Sequence, residues 1–241
     1  MKQSDEKRAA LDAALARLEL DCSDEQKELL LRHLELLVKK NEVLNLTRIT
    51  SFEEAVVLHI EDSLSLLGNF SHSDGDFCDI GTGGGFPGLP LGIVSGRPGV
   101  LLDSVKKKAH AVQEFIDQLG LSDQLEARGM RSEELCAERA ESFDTVVARA
   151  VASLNVVEEL ASPLLRQNGR LIAMKGIESE EEEKTALKAS ESLGFELIEK
   201  RIFEIGNGTY SRCVYVFEKS GQPTIKLPRR PGMATKRPLG L

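Results

Sequence analysis

The chain has 241 residues, enough to bury a sizeable core as one large domain or as one domain with an extension. Apolar residues make up 41% and charged residues 29%, the balance of a globular protein, and no run approaches the ~18 uninterrupted apolar residues of a membrane helix. Met1 to Arg8 is polar with no apolar segment or cleavage site behind it, so no secretory signal is expected and a cytoplasmic location is.

Cys22, Cys78, Cys136 and Cys213 form no CxxC pair, and the four histidines form no HExxH. Reduced thiols and no metal are expected. The net charge of −8 argues against a generally basic nucleic-acid-binding domain. It hides an asymmetry, because residues 222–241 hold five basic residues and no acid. The remainder carries 26 basic against 39 acidic residues, or −13. Such a body with a basic arm can meet a polyanion through the arm; equally, the arm can be a solvated terminus.

In chain order, residues 5–43 predict two helices. Leu11, Leu15 and Leu18 stripe the first; Ser23 and Gln26 form a capping box opening the second, with its stripe at Leu30, Leu34, Leu37 and Val38. A polar turn is expected over Asn45 to Thr50. Ser51 and Glu54 form a second capping box for a helix reaching about Leu67, with His59, Asp62 and Ser63 on one face. After the Gly/Ser/Asp-rich break at 68–76 the pattern becomes strand–helix alternation. Strands are predicted at 77–80, 100–103, 125–128, 143–148 and 170–174, with helices over 106–119 and 154–166. The acidic run Glu178 to Glu183 opens a further helix, its charge favoured by the helix dipole. Two strands, 195–205 and 213–218, joined by Gly206-Asn-Gly208, close the chain as a hairpin. The fold class is therefore α/β, a doubly wound and mostly parallel sheet with one antiparallel late strand. The expected divisions are a helical extension (1–68), a core (69–221) and a basic arm (222–241).

The densest signal is Asp79-Ile-Gly81-Thr-Gly83-Gly84-Gly85-Phe-Pro87-Gly88. Glycines directly after a strand permit positive φ and close ligand approach, and such a loop forms one wall of a nucleotide crevice. Asp103 ends the next strand, where a carboxylate can accept from ribose hydroxyls. Gly83, Gly85 and Gly88 satisfy the dinucleotide pattern G-x-G-x-x-G, whereas Gly81, Gly83 and Gly85 satisfy the G-x-G-x-G of methyltransferases. Asp79, two residues before the first glycine, and the closing hairpin favour the methyl donor S-adenosylmethionine. A nicotinamide-dependent oxidoreductase is the alternative enzyme.

The sequence resembles the RsmG family, also called glucose-inhibited division protein B. The resemblance is carried by Asn45-Leu-Thr47, His59-Ile-Glu-Asp62-Ser63-Leu64, Asp79 to Gly88, Leu102-Asp103-Ser104, Arg131-Ser-Glu-Glu134, Ala148-Arg149-Ala150, Ser153-Leu154 and Met174-Lys175-Gly176. Arg212 and the arm from Pro228-Arg-Arg-Pro-Gly232 through Lys236-Arg-Pro238 complete it. These pieces run in order over nearly the whole chain. The resemblance implies a class I methyltransferase with a seven-stranded sheet, methylating N7 of one guanosine in 16S ribosomal RNA as a monomer. By position it implies Gly81, Gly83, Gly85 and Phe86 at the donor pocket, Asp103 on the ribose, and Ser132 and Glu133 flanking the adenine. Arg149 falls where donor and base meet, as the catalytic residue, and Arg131, Lys175, Arg212, Arg229, Arg230, Lys236 and Arg237 face RNA. Gly84-Gly85-Phe86 departs from the family, where a Pro and an aliphatic residue are frequent.

Guanine N7 has an in-plane lone pair and no proton at neutral pH, so attack on a sulfonium methyl needs no general base. Arg149 is then an organiser of donor or RNA phosphate. A non-catalytic RNA-binding assembly factor is the alternative from another class; the intact Gly81, Gly83, Gly85 and Asp103 argue against it.

Overall fold

The computed structural model describes residues 2–49, 51–176 and 179–241. Thr50 of the expected polar turn and Glu178 of the acidic run lie outside the described residues. Two helices lead, α1 (Lys2–Arg17) and α2 (Asp24–Asn41). Ser23 and Gln26 cap α2 reciprocally: the Gln26 N–H donates to Ser23 Oγ at 3.2 Å and the Ser23 N–H to Gln26 Oε1 at 2.9 Å.

The third helix is less regular than its periodicity suggests. α3 (Phe52–Ala55) starts at Ser51, whose Oγ accepts from the Glu54 N–H. It passes through a π-helical turn over Val56–Glu61 into α4 (Asp62–Leu64), ending before Leu67. A π turn shifts the carbonyl ladder, and here the Leu58 carbonyl accepts from a side chain, the Arg149 guanidinium, at 2.9 Å. α5 (Leu67–Phe70) follows.

The core alternates strictly: β1 (Phe77–Ile80), α6 (Gly88–Ser95), β2 (Gly99–Leu102), α7 (Lys106–Gln118), β3 (Leu125–Arg128), α8 (Ser132–Arg139) and β4 (Phe143–Arg149). Then come α9 (Leu154–Ala161), β5 (Leu165–Lys175), α10 (Glu180–Leu193), β6 (Phe195–Ile205), β7 (Tyr210–Lys219) and a single turn, α11 (Met233–Lys236). α9 stops five residues short of the predicted Arg166: Ser162 keeps helical angles, but Pro163 has no N–H to continue the ladder. β5 begins in the space gained. It pairs Leu165 with Phe143, bulges, and resumes at Arg170 opposite Thr145.

The strands form one seven-stranded sheet in the order β3-β2-β1-β4-β5-β7-β6. β3 to β5 are parallel; β7 runs antiparallel between β5 and the edge strand β6. Strand alternation sends side chains to two separate cores. Phe77, Leu101, Val147, Ile172 and Val216 pack beneath α1 to α7, with Leu30, Leu34 and Leu37 of α2 fully covered. Cys78, Val100, Val146, Leu171 and Phe217 pack beneath α8 to α10, joined by Ile225, Leu227 and Leu239 of the C-terminal segment.

Two neighbouring acids of α9, Glu158 and Glu159, are buried in the second layer. Glu158 of α9 is fully covered and accepts from Ser190 Oγ of α10 at 2.6 Å. Burial pushes its carboxyl from 4.5 up to about 8. Between those values the native state holds a proton that the unfolded chain has lost, so this group's contribution to stability falls as pH rises through the window. A Glu158→Gln variant removes that dependence. Its thermal midpoint relative to the parent is expected to climb from pH 5 to pH 8; a constant difference in a pH series of melts would refute the buried neutral acid.

Candidate active site

The strand order reverses direction between β1 and β4, and at such a switch point the crevice lies beyond the carboxyl ends of the strands. The glycine loop leaves β1 there. Gly81, Gly83 and Gly85 have φ of +76°, +60° and +96°, a region that side chains rarely enter. Gly83 faces open space: a Cβ on it would meet only the Gly81 carbonyl, at 4.0 Å. Its N–H donates to Asp103 Oδ2 at 3.1 Å, while the Val105 N–H donates to Oδ1 at 2.8 Å. Two backbone donors thus fix the plane of a mostly buried carboxylate and leave each oxygen a further lone pair.

Beside this pair lies a cavity of about 200 Å³. Ile80 and Gly81 form one side; Ser104, Arg131, Ser132 and Glu133 form another, and Gly232, Ala234 and Thr235 close it. Ser132 opens α8 and is buried, its Oγ 3.4 Å from Glu133 Oε2. A larger groove of about 800 Å³ runs between α1, α2 and the end of α7. Its charged walls, including Arg8, Glu25, Glu28 and Arg32, offer neither a glycine turn nor a strand end. The smaller cavity is the chemically organised one.

Behind the loop, Asp79 is wholly buried and accepts from the Gly88 N–H at 2.9 Å, tying α6 to β1. Burial raises its carboxyl to about 6. Phe86 does not line the cavity. It lies on the other side of the loop, stacked between His33 at 4.5 Å and His59 at 4.3 Å. Gly85 faces the same way, since a Cβ there would run into Leu89 and His33. The Gly84 carbonyl can only accept, so His33 Nε2 carries the proton in their 2.9 Å bond. Burial pushes His33 down to about 4 and, with Arg149 nearby, His59 down to about 3. Both imidazoles are neutral at physiological pH.

Arg149, at the end of β4, belongs to a second cluster. Its Nη1 donates to Asp62 Oδ2 at 2.8 Å and its guanidinium lies 5.6 Å from the Phe86 ring. The other Asp62 oxygen accepts from Arg212 Nε at 2.8 Å. One buried carboxylate therefore joins the N-terminal helices to β4 and β7. Lys175 Nζ donates to the Ala152 carbonyl, in the loop after β4. Arg131 is exposed at the start of α8, its N–H held by Glu134 Oε2.

The C-terminal basic residues divide. Arg229 is tied to Glu159 of α9, whereas Arg230, Lys236 and Arg237 are exposed. Sequence reasoning passed over His33, a lone polar residue inside the α2 leucine stripe. It also passed over Gly232, Ala234 and Thr235 as cavity residues, for which only proximity in the fold gives a signal.

Comparison with known proteins agrees with this architecture. A family model, GidB, described as rRNA small subunit methyltransferase G, matches residues 26–206. A ribosomal RNA small subunit methyltransferase G from Alkaliphilus metalliredigens is 37% identical over 220 residues, covering 90% of this chain and 92% of that protein. One from Deinococcus radiodurans is 43% identical over 215 residues, covering 86% and 83%. Among solved structures, a geranyl diphosphate C-methyltransferase from Streptomyces coelicolor A3(2), in complex with Mg2+, geranyl diphosphate and S-adenosyl-L-homocysteine, superposes with a TM-score of 0.53. It is 10% identical and the match covers 66% of this chain and 78% of that one, a likeness of fold alone. With the family model spanning most of the sheet and its N-terminal cover, the chain belongs to the ribosomal RNA small subunit methyltransferase G family.

Proposed function

We propose that the protein transfers the methyl group of S-adenosylmethionine to N7 of a guanosine in 16S ribosomal RNA. The carrying observation is the crevice at the β1/β4 switch, where open space above Gly83 adjoins an oriented Asp103 carboxylate and a cavity ending at Ser132 and Glu133. These residues fit the donor: backbone for close approach, a carboxylate for the ribose hydroxyls, and a serine–glutamate pair for the adenine. Gly81, Gly83 and Gly85 shape the loop, and Phe86 backs it from the side of the N-terminal helices.

S-adenosylmethionine supplies an electrophilic methyl on a sulfonium. The chain's task is to hold the purine in line with it and to exclude water. Arg149 and Arg212, both drawn to Asp62, give the β4 and β7 side of the crevice a net positive charge suited to an RNA phosphate. Arg131, Lys175, Arg230, Lys236 and Arg237 extend that reading around the rim, whereas the charge of Arg229, also expected there, is taken up by Glu159. No group here must remove a proton, and the two nearby histidines are held neutral with their pKa values far below 7.

Two predictions follow from these roles. Asp103→Ala removes charge-assisted acceptors and should weaken S-adenosylmethionine binding by ~1.5–3 kcal/mol, while Gly83→Val blocks the open face of the loop. Calorimetric affinities equal to the parent's in both variants would overturn the donor site. The single-turnover rate at saturating substrates should stay nearly level between neutral and mildly alkaline pH. A tenfold rise per pH unit that disappears on replacing one side chain of the crevice would establish a general base and refute the base-free mechanism.

A further inference from the structure

The cavity has a wall that comes from neither the glycine loop nor the strand ends. Its closing residues, Gly232, Ala234 and Thr235, sit in the C-terminal segment, whose composition suggested a free basic arm. Gly232 has φ +80°, and its N–H donates to Glu133 Oε1 at 2.9 Å. Ala234 is 2% exposed. The segment is fastened on both sides of this turn. Before it, Arg229 grips Glu159 of α9 through both carboxylate oxygens, with Nε to Oε1 at 2.6 Å and Nη2 to Oε2. The same Nη2 donates to the Arg237 carbonyl at 2.9 Å, closing residues 229–237 on themselves. After it, Asn155 Nδ2 donates to the Leu239 carbonyl at 2.7 Å.

The Glu159 carboxylate is 4% exposed at its side chain, a costly place for a charge unless it is paired by a matching fork. Arg229 supplies that fork, and a flexible polar terminus would have no reason to. We propose that residues 229–239 are a built wall of the donor pocket, and that Arg229 is the positioning residue that holds it. The Gly232 N–H, so held, aims the Glu133 carboxylate at the adenine edge. A carboxylate fixed in this way accepts from the exocyclic amino group of adenine and gives the pocket its preference for that base. The basic charges of the segment thus have two uses: Arg229 is spent internally, while Arg230, Lys236 and Arg237 remain on the outer face.

This inference rests on the cavity being the donor site. The first measurement is therefore S-adenosylhomocysteine binding to the full-length parent by calorimetry. No binding there would refute the donor reading itself. Given binding, Arg229→Ala should weaken affinity roughly tenfold, with Arg229→Lys between the two, because a single ammonium cannot reproduce the fork. The KM for S-adenosylmethionine should rise with kcat little changed. Discrimination between S-adenosylhomocysteine and its N6,N6-dimethyl analogue should shrink in Arg229→Ala, a readout that general loosening of the fold would not move. Should Arg229→Ala fail to fold, Thr235→Trp tests the same wall, since Thr235 lines the cavity from an exposed position and its replacement leaves the core intact. It should weaken binding at least as much with an unchanged thermal midpoint. Affinity within twofold of the parent in the variants that fold would overturn the proposal.

Discussion

The central parallel strands β1, β2 and β4 are buried on both faces, and parallel strands with no wet side must be covered on each. That requirement organises the rest of the molecule. α1 to α7 cover one face and α8 to α10, with the C-terminal segment, cover the other. The crevice at the strand ends therefore has a helical layer on each side. The N-terminal layer reaches it through Asp62 and the His33–Phe86–His59 stack, and the C-terminal layer through Gly232 and Glu133. The same elements that keep water from the core thus frame the chemistry.

The two sides are built differently. On the N-terminal side, a carboxylate bridges two guanidinium groups that come from strands separated by β5. Removing Asp62 would leave both cations facing each other with their shared counter-charge gone, whereas removing either arginine leaves one pair intact. Coupling of this kind makes Asp62 the member whose loss propagates furthest. The aromatic stack beside it adds rigidity without charge, because burial keeps both imidazoles neutral.

The glycine loop, its partner Asp103 and the strand–helix alternation were legible in the sequence because each is a local pattern with one geometric solution. The order of motifs from Asn45 to Lys236 carried the family in the same way. The π-helical turn was not legible: its residues keep a helical periodicity, and the shift of the backbone ladder that defines it leaves no mark in the sequence. Pro163 marks the end of α9, and the buried Leu165 beyond it opens β5 instead of extending the helix. The role of the C-terminal segment was hidden for a deeper reason. Arg229 and Glu159 are 70 positions apart, and composition reports a charge without reporting what neutralises it. Of the expected site residues, Gly81, Ser132 and Glu133 meet at one cavity, with Gly83 and Asp103 bonded together beside it, while Arg149 and Arg212 gather at Asp62.

The placement of β6 bears on how this fold behaves in a crowded solution. Among the described residues its outer edge has no strand partner, and such an edge is the usual template for fibril growth by strand addition. Five of its eleven residues, Glu196, Glu199, Lys200, Arg201 and Glu204, are charged. An incoming strand would have to strip water from both signs of charge before it gained a ladder of hydrogen bonds. The half-exposed Ile198 and Ile202 are the weak points of that edge. Neutralising the charges around them would turn a strand that ends the sheet into one that extends it.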